Sequence, residues 1–135
     1  MEAKTRNGSL VAIVDDDELF RDATCNLLQA EGYSTATFAN AATFLESSQR
    51  RSAACMVADM RMPGMTGLQL YQALLAAGEG IPTVLITAYP EDRDRARARE
   101  AGIMCFLSKP FVPEQLLECV RKALAKSPRR PIPRS

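Results

Sequence analysis

The stretch "VAIVDDDELF", residues 11–20, decides both the fold and the chemistry of this chain. Its apolar, mostly β-branched opening reads as a buried strand. That strand breaks directly into Asp15, Asp16 and Asp17. Neighbouring carboxylates raise the cost of ionising one another, so acids gathered at the end of a core strand call for a compensating cation.

Working outward, short apolar runs recur as "LVAIV", "YSTATF", "ACMVA", "TVLI" and "IMCFL", each followed by a longer stretch of helical character. The first helix is expected from Glu18 to Glu31, with Leu19, Ala23, Leu27 and Ala30 facing inward and Gly32 as its stop. Asn40 suits the cap of a second helix, "AATFLESSQ". The third occupies "TGLQLYQALLAAG", with Tyr71, Leu74 and Leu75 as its apolar stripe and Gly78 as its end. Pro90, Glu91 and Asp92 mark a fourth start, since proline fits a first turn and acids complement the N-terminal dipole. That helix, "EDRDRARARE", offers only Ala96, Ala98 and Ala101 to a core and is expected to be loosely held. Pro113 and Glu114 open a fifth, which turns Leu116, Leu117, Val120 and Leu124 inward and leaves Glu118, Arg121 and Lys122 to water.

Five strand-helix units imply an α/β fold: a doubly wound parallel sheet of five strands with helices on both faces, joined by right-handed crossovers. The expected organisation is an N-terminal tail over residues 1–8, one domain over 9–126, and a tail or linker stub over 127–135, where "SPRRPIPRS" lacks apolar periodicity.

Composition narrows the function. The chain has 135 residues, 47% of them hydrophobic, and a formal net charge of +1. That suffices for one core and provides no basic face for direct nucleic-acid binding. Cys25, Cys55, Cys105 and Cys119 form no CxxC pair and the chain has no histidine, so a structural zinc site is not expected. The cysteines read as small buried apolar residues. The start "MEAKTRNGSL" carries no long apolar core, and no run approaches the roughly 20 apolar residues that span a bilayer. The expectation is a cytoplasmic protein with no membrane association.

In an open parallel sheet, ligands bind beyond the carboxyl ends of the strands, where strand order reverses. Asp15 and Asp16 follow the first strand, Asp59 the third, Thr87 the fourth and Lys109 the fifth, so the topology brings all five to one edge. A divalent cation neutralises such acids, and Mg²⁺ prefers hard oxygen donors. Asp59 can complete that seat and also attack phosphorus to give an acyl phosphate, a transfer that depends on charge neutralisation. Lys109 supplies a cation and Thr87 a hydroxyl donor for the phosphoryl oxygens. Asp17 reads as a simple helix N-terminal charge.

The ordered set of Asp15-Asp16, "DMRMPGMTG" with Asp59, Pro63 and Gly67, "LITA" with Thr87, and "SKP" with Lys109 and Pro110 resembles the receiver domain of two-component response regulators, over residues 9–126. "VDDDELFRDA", "RMPGMTGL" and "LSKPF" are most similar to the FixJ/NodW-type regulators of nitrogen fixation and nodulation. The resemblance implies a flavodoxin-like (βα)5 fold with strand order 2-1-3-4-5. It implies Asp59 as phospho-acceptor, and Mg²⁺, with Mn²⁺ as a substitute, held by Asp15, Asp16, Asp59 and the Arg61 backbone carbonyl. Asp16 is favoured as the direct ligand and Asp15 as one acting through water.

The same resemblance places Thr87 and Phe106 at switch positions, pairs Lys109 with the phosphoryl group, and makes Lys109-Pro110 a candidate cis bond. Arg61 and Tyr89, each two residues past a site residue, are positioned to set the lifetime of the acyl phosphate. A sensor histidine kinase or a histidine phosphotransfer protein is the implied partner, recognised near Leu19, Phe20, Ala23 and Thr24. Charges on helices four and five leave a homodimer open. The implied role is a signalling domain and not an enzyme. Two other readings stand beside it: the regulatory half of a longer DNA-binding transcription factor, and a Mg²⁺-dependent phosphatase of the haloacid-dehalogenase kind, for which Asp15 and Asp17 have the required spacing.

Overall fold

The computed structural model describes residues 9–126; the expected tails at 1–8 and 127–135 lie outside them. The strands are β1 (Leu10–Val14), β2 (Ser34–Phe38), β3 (Ala53–Asp59), β4 (Thr83–Thr87) and β5 (Cys105–Ser108). The α-helices are α1 (Glu18–Ala30), α2 (Ala41–Leu45), α3 (Gly67–Ala76), α4 (Asp92–Ala101) and α5 (Pro113–Ala125), with a 3-10 turn at Ser48–Arg51. All strand pairs are parallel, in the order β2-β1-β3-β4-β5. This is the expected doubly wound fold.

Alternation along the strands builds two cores. Val11, Ile13, Cys55, Val57, Val84 and Ile86 point to one face, where Leu28 of α1 and Leu116 and Val120 of α5 cover them. Ala12, Val14, Met56, Ala58 and Leu85 point to the other, against Phe44 of α2, Leu70, Tyr71 and Leu74 of α3, and Ala98 of α4. Because β1 and β3 are covered on both sides, they read as unbroken apolar runs.

Several helix details differ from the sequence expectation. On α1 the buried residues are Thr24 and Leu28, with Phe20, Cys25 and Leu27 partly covered, whereas Leu19 is 82% exposed and Ala23 and Ala30 face water. Phe20 sets that rotation, packing edge-on against Phe111 with ring centroids 5.5 Å apart. Asp17 stands at the N-terminus of this helix as expected and caps it by accepting from the Phe20 amide. The second helix stops at Leu45, and Ser47 accepts from the Gln49 amide to start the separate 3-10 turn. On α3 the inward residues are Gly67, Leu68, Leu70, Tyr71 and Leu74, while Leu75 is 47% exposed. The fourth helix starts at Asp92 with Glu91 at the cap, so Pro90 lies outside its first turn; Ala98 is buried and Ala96 exposed.

Two of the four cysteines, Cys105 and Cys119, part from expectation. Cys105 on β5 and Cys119 on α5 are joined by a disulfide, with Cα atoms 5.9 Å apart, because α5 folds back along the strand that precedes it. Cys55 is fully buried, which pushes its thiol up to about 12. Cys25 contacts the Thr35 hydroxyl. Among the described residues, no helix is long and apolar enough to cross a membrane.

Candidate functional site

Register delivers the site. Val14 pairs with Phe38 and Ala58, Asp59 pairs with Ile86, and Thr87 pairs with Ser108, so the strands end side by side. Asp15, the first residue after β1, has its amide held by the Phe38 carbonyl. Its Oδ1 accepts from the Asp17 amide at 2.9 Å, and the Arg21 guanidinium donates to its carbonyl at 2.7 Å. Asp59 is the last residue of β3, and its Oδ1 accepts from the Arg61 amide at 2.9 Å.

Lys109 joins the two acids. Its ammonium donates to Asp59 Oδ2 at 2.9 Å and to Asp15 Oδ2 at 3.2 Å, and it lies 4.0 Å from the centroid of the Phe20 ring. The Lys109 amide is tied to the Thr87 carbonyl, and the Lys109-Pro110 bond is cis, as expected. Thr87 is fully buried, and its hydroxyl oxygen accepts from the Tyr89 amide at 3.1 Å, leaving the hydroxyl hydrogen available to donate.

The electrostatics of the cluster favour a cation. Ligand oxygens of Asp15, Asp16 and Asp59 lie within 4.8 Å of one another, facing one ammonium. Burial, reinforced by the charge of Asp59, raises the Asp15 carboxyl to about 6 despite the opposing Asp17 amide and Lys109. Burial works against the Lys109 ammonium, but hydrogen bonds and charges from Asp59 and Asp15 outweigh it and raise its pKa. Burial is the main cause of the rise at Asp15 and the Asp59 charge adds to it; independently, three carboxylates share one ammonium, so negative charge is in surplus. Three hard oxygen donors with that surplus fit a divalent cation such as Mg²⁺.

The "DMRMPGMTG" loop is shaped around Asp59. A Cβ on Gly67 would stand 2.5 Å from the Asp59 carbonyl oxygen and 2.9 Å from Leu85 Cδ2, so only glycine lets α3 start this close to the end of β3. Thr66 caps that helix, exchanging hydrogen bonds with Gln69. Gly64 takes a φ of 82° within the turn.

Of the other expected site residues, Phe106 is half-buried on β5 with the Arg95 guanidinium 4.9 Å from its ring centroid. Tyr89 is 70% exposed. The Arg61 side chain extends to α4, pairing with Asp94 at 2.8 Å and Glu91 at 3.4 Å. Arg21, Phe20 as a partner of Lys109, and Asp94 were missed as parts of the site. Asp94 is one of many charges in a helix whose sequence offers only alanines to the core, and only its burial sets it apart.

The family described as response regulator receiver domain matches residues 11–121. The transcriptional regulatory protein TdiR of Thauera aromatica is 38% identical over 122 residues, covering 90% of this chain and 54% of that protein. The structure of the response regulator StyR aligns with a TM-score of 0.82 at 41% identity, over 90% of this chain and 62% of that one. The FixJ-N crystal structure aligns with a TM-score of 0.78 at 28% identity, over 87% and 94%. The chain spans about half the length of the curated relatives it matches.

Proposed function

The chain belongs to the response regulator receiver domain family of two-component systems, a signalling module and not a catalytic enzyme, and from that premise we propose that Asp59 is its phospho-acceptor. The carrying observation is the convergence of Asp59 Oδ2, Asp15 Oδ2 and the Lys109 ammonium within hydrogen-bond distance, at the only three-acid cluster found among the described residues.

The family implies a cognate histidine kinase. In the proposed reaction, an Asp59 carboxylate oxygen forms a bond to phosphorus as the bond from phosphorus to the donor nitrogen breaks. The imidazole leaves with that electron pair and takes up a proton. Asp15, Asp16, Asp59 and the Arg61 carbonyl would hold Mg²⁺ or Mn²⁺, which when bound supplies neutralising charge for the phosphoryl oxygens. Lys109 is already poised on Asp59 Oδ2 and can follow the charge onto the new group. Thr87, fully buried at the end of the adjacent strand, has a hydroxyl hydrogen to offer; Phe106 lies on β5 beside α4, where a shift of Thr87 would be felt. Tyr89 remains a residue proposed to govern the lifetime of the acyl phosphate, whereas the Arg61 side chain, expected to share that role, is turned to Asp94 and Glu91 on α4.

An apolar groove of about 560 Å³ beside Lys109, lined by Phe20, Ala23, Thr24, Leu27 and Phe111, supports docking of the phosphohistidine partner on α1. The output, including any regulation of transcription by a further domain, belongs to the same proposal. The phosphatase alternative is not favoured, because the receiver-domain family matches residues 11–121. Intact-mass measurement after incubation with Mg²⁺ and acetyl phosphate tests the acceptor: one phosphoryl mass gain is expected, absent from Asp59→Asn. Equal gain in that variant would defeat the proposal.

A further inference from the structure

Arg61 belongs to the site through its backbone and to α4 through its side chain. Its amide donates to Asp59 Oδ1. Its guanidinium, a permanent positive charge, spans to Asp94 Oδ2 at 2.8 Å and to Glu91 Oε2 at 3.4 Å. The Asp94 side chain is only 10% exposed, a degree of burial that carboxylates reach almost only when paired. Glu91 is half exposed and is shared with Arg93 at 3.8 Å, so Asp94 is the principal anchor.

Resting on the assignment of Asp59 as acceptor and cation ligand, we infer that Asp94 is a positioning residue for the phosphoryl site, holding the Arg61 guanidinium on α4 and away from the acid cluster. The need for such a holder follows from chain geometry. Arg61 is rooted two residues from Asp59, and the nearby carboxylates carry surplus negative charge that attracts any free cation. A released guanidinium would pair with those carboxylates and compete with the divalent cation. Removing the Asp94 charge also makes the surroundings more positive, so both consequences weaken cation binding. Neither alters the carboxylates themselves.

The test uses the full chain and Mg²⁺ alone, titrated by calorimetry at low ionic strength, with phosphoryl uptake from acetyl phosphate as a second readout. Asp94→Asn is expected to weaken Mg²⁺ binding about three- to tenfold, the scale of one unit charge acting through a well-screened medium. The loss should shrink in high salt. The Mg²⁺ concentration for half-maximal uptake should rise by the same factor, with the rate at saturating Mg²⁺ within about twofold of the parent. Removing the competing charge, in Arg61→Gln/Asp94→Asn, should restore affinity, and Asp94→Glu should retain it.

Unchanged Mg²⁺ affinity in folded Asp94→Asn, or a loss that persists in the double variant, would overturn the inference. Should Asp94→Asn not fold, Arg61→Gln alone decides: affinity at or above the parent's supports the inference, and weaker affinity overturns it. A parent chain that binds no Mg²⁺ and gains no phosphoryl mass would instead remove the acceptor assignment beneath it.

Discussion

β3 and β5 each deliver one charged group to the same pocket, yet they are built in opposite ways. All seven residues of β3 are buried, and the strand is paired on both sides by β1 and β4. β5 has four residues, all half-buried, and stands at the edge of the sheet. Asp59 is therefore fixed by the centre of the molecule, and Lys109 by its margin. The helix next to that margin is equally sparse: α4 buries only Asp94 and Ala98. Under the proposed function Asp59 needs a rigid seat and the switch a segment that can respond cheaply, and the different builds of β3 and β5 suit those two tasks.

The sharpest way to break that contrast is to weaken each region by a matched truncation. Ile13→Ala, at a fully buried position of β1, which pairs with β3, is expected to cost about 2–5 kcal/mol. Leu107→Ala, on half-buried β5, should cost about 1–2 kcal/mol, because less area leaves water and the site can collapse more easily. Urea unfolding of both variants measures this. Equal losses would mean that the margin is as tightly built as the centre.

The fixed seat also has an electrostatic price that pH exposes. In the metal-free chain the Asp15 carboxyl is raised from its ordinary 3.8 to about 6. The native state then keeps a proton that the unfolded chain has released, so this contribution to stability is complete below about pH 4 and is lost as pH rises through 6. Asp15→Asn should flatten the profile between pH 4 and 6, and bound Mg²⁺ should reverse its sign by favouring the ionised form. A profile left unchanged by Asp15→Asn would contradict the raised Asp15 pKa.

Gly67 tests how closely the loop is fitted to the fixed strand. Alanine there would press on the Asp59 carbonyl, and overpacking of this kind costs about 1–3 kcal/mol. Thermal unfolding should register that loss, and phosphoryl uptake should slow even where the variant is fully folded. Wild-type uptake in Gly67→Ala would show that the acceptor strand tolerates movement and is less rigid than its burial implies.

Which parts were legible in the sequence follows the same division. The strands and the acids at their ends could be read because burial on both faces demands unbroken apolar runs, and the topology then forces Asp15, Asp59, Thr87 and Lys109 to one edge. What escaped depends on contacts between distant segments. Leu19 and Phe20 are equally apolar as letters, and only Phe111, reached through α5's approach, selects Phe20 as the anchor. Leu75 fits the helical stripe but finds no cover. Asp94 looks solvated until Arg61, 33 residues earlier, buries it. Cys105 and Cys119 show no motif because their pairing arises from the return of α5 along β5.

The smallest expected effect probes the responsive margin itself. Arg95 of α4 stacks over Phe106 and donates to its backbone carbonyl at 3.4 Å, so one side chain ties the helix to the edge strand. Such a cation–π contact contributes about 0.5–1 kcal/mol at a partly exposed site, and Arg95→Ala should lower global stability by no more than that. Its local consequence should be larger in proportion. If α4 and β5 open together while the centre stays closed, losing this tie raises the open population by roughly two- to fivefold, visible as faster amide exchange in residues 92–108 with no change in β1 or β3. Arg95→Lys should recover only part of the protection, since an ammonium cannot stack on the ring as a planar guanidinium does. Exchange that accelerates equally in β3 and β5 would mean that the sheet opens as one unit, and the division between a fixed seat and a responsive margin would have to be abandoned.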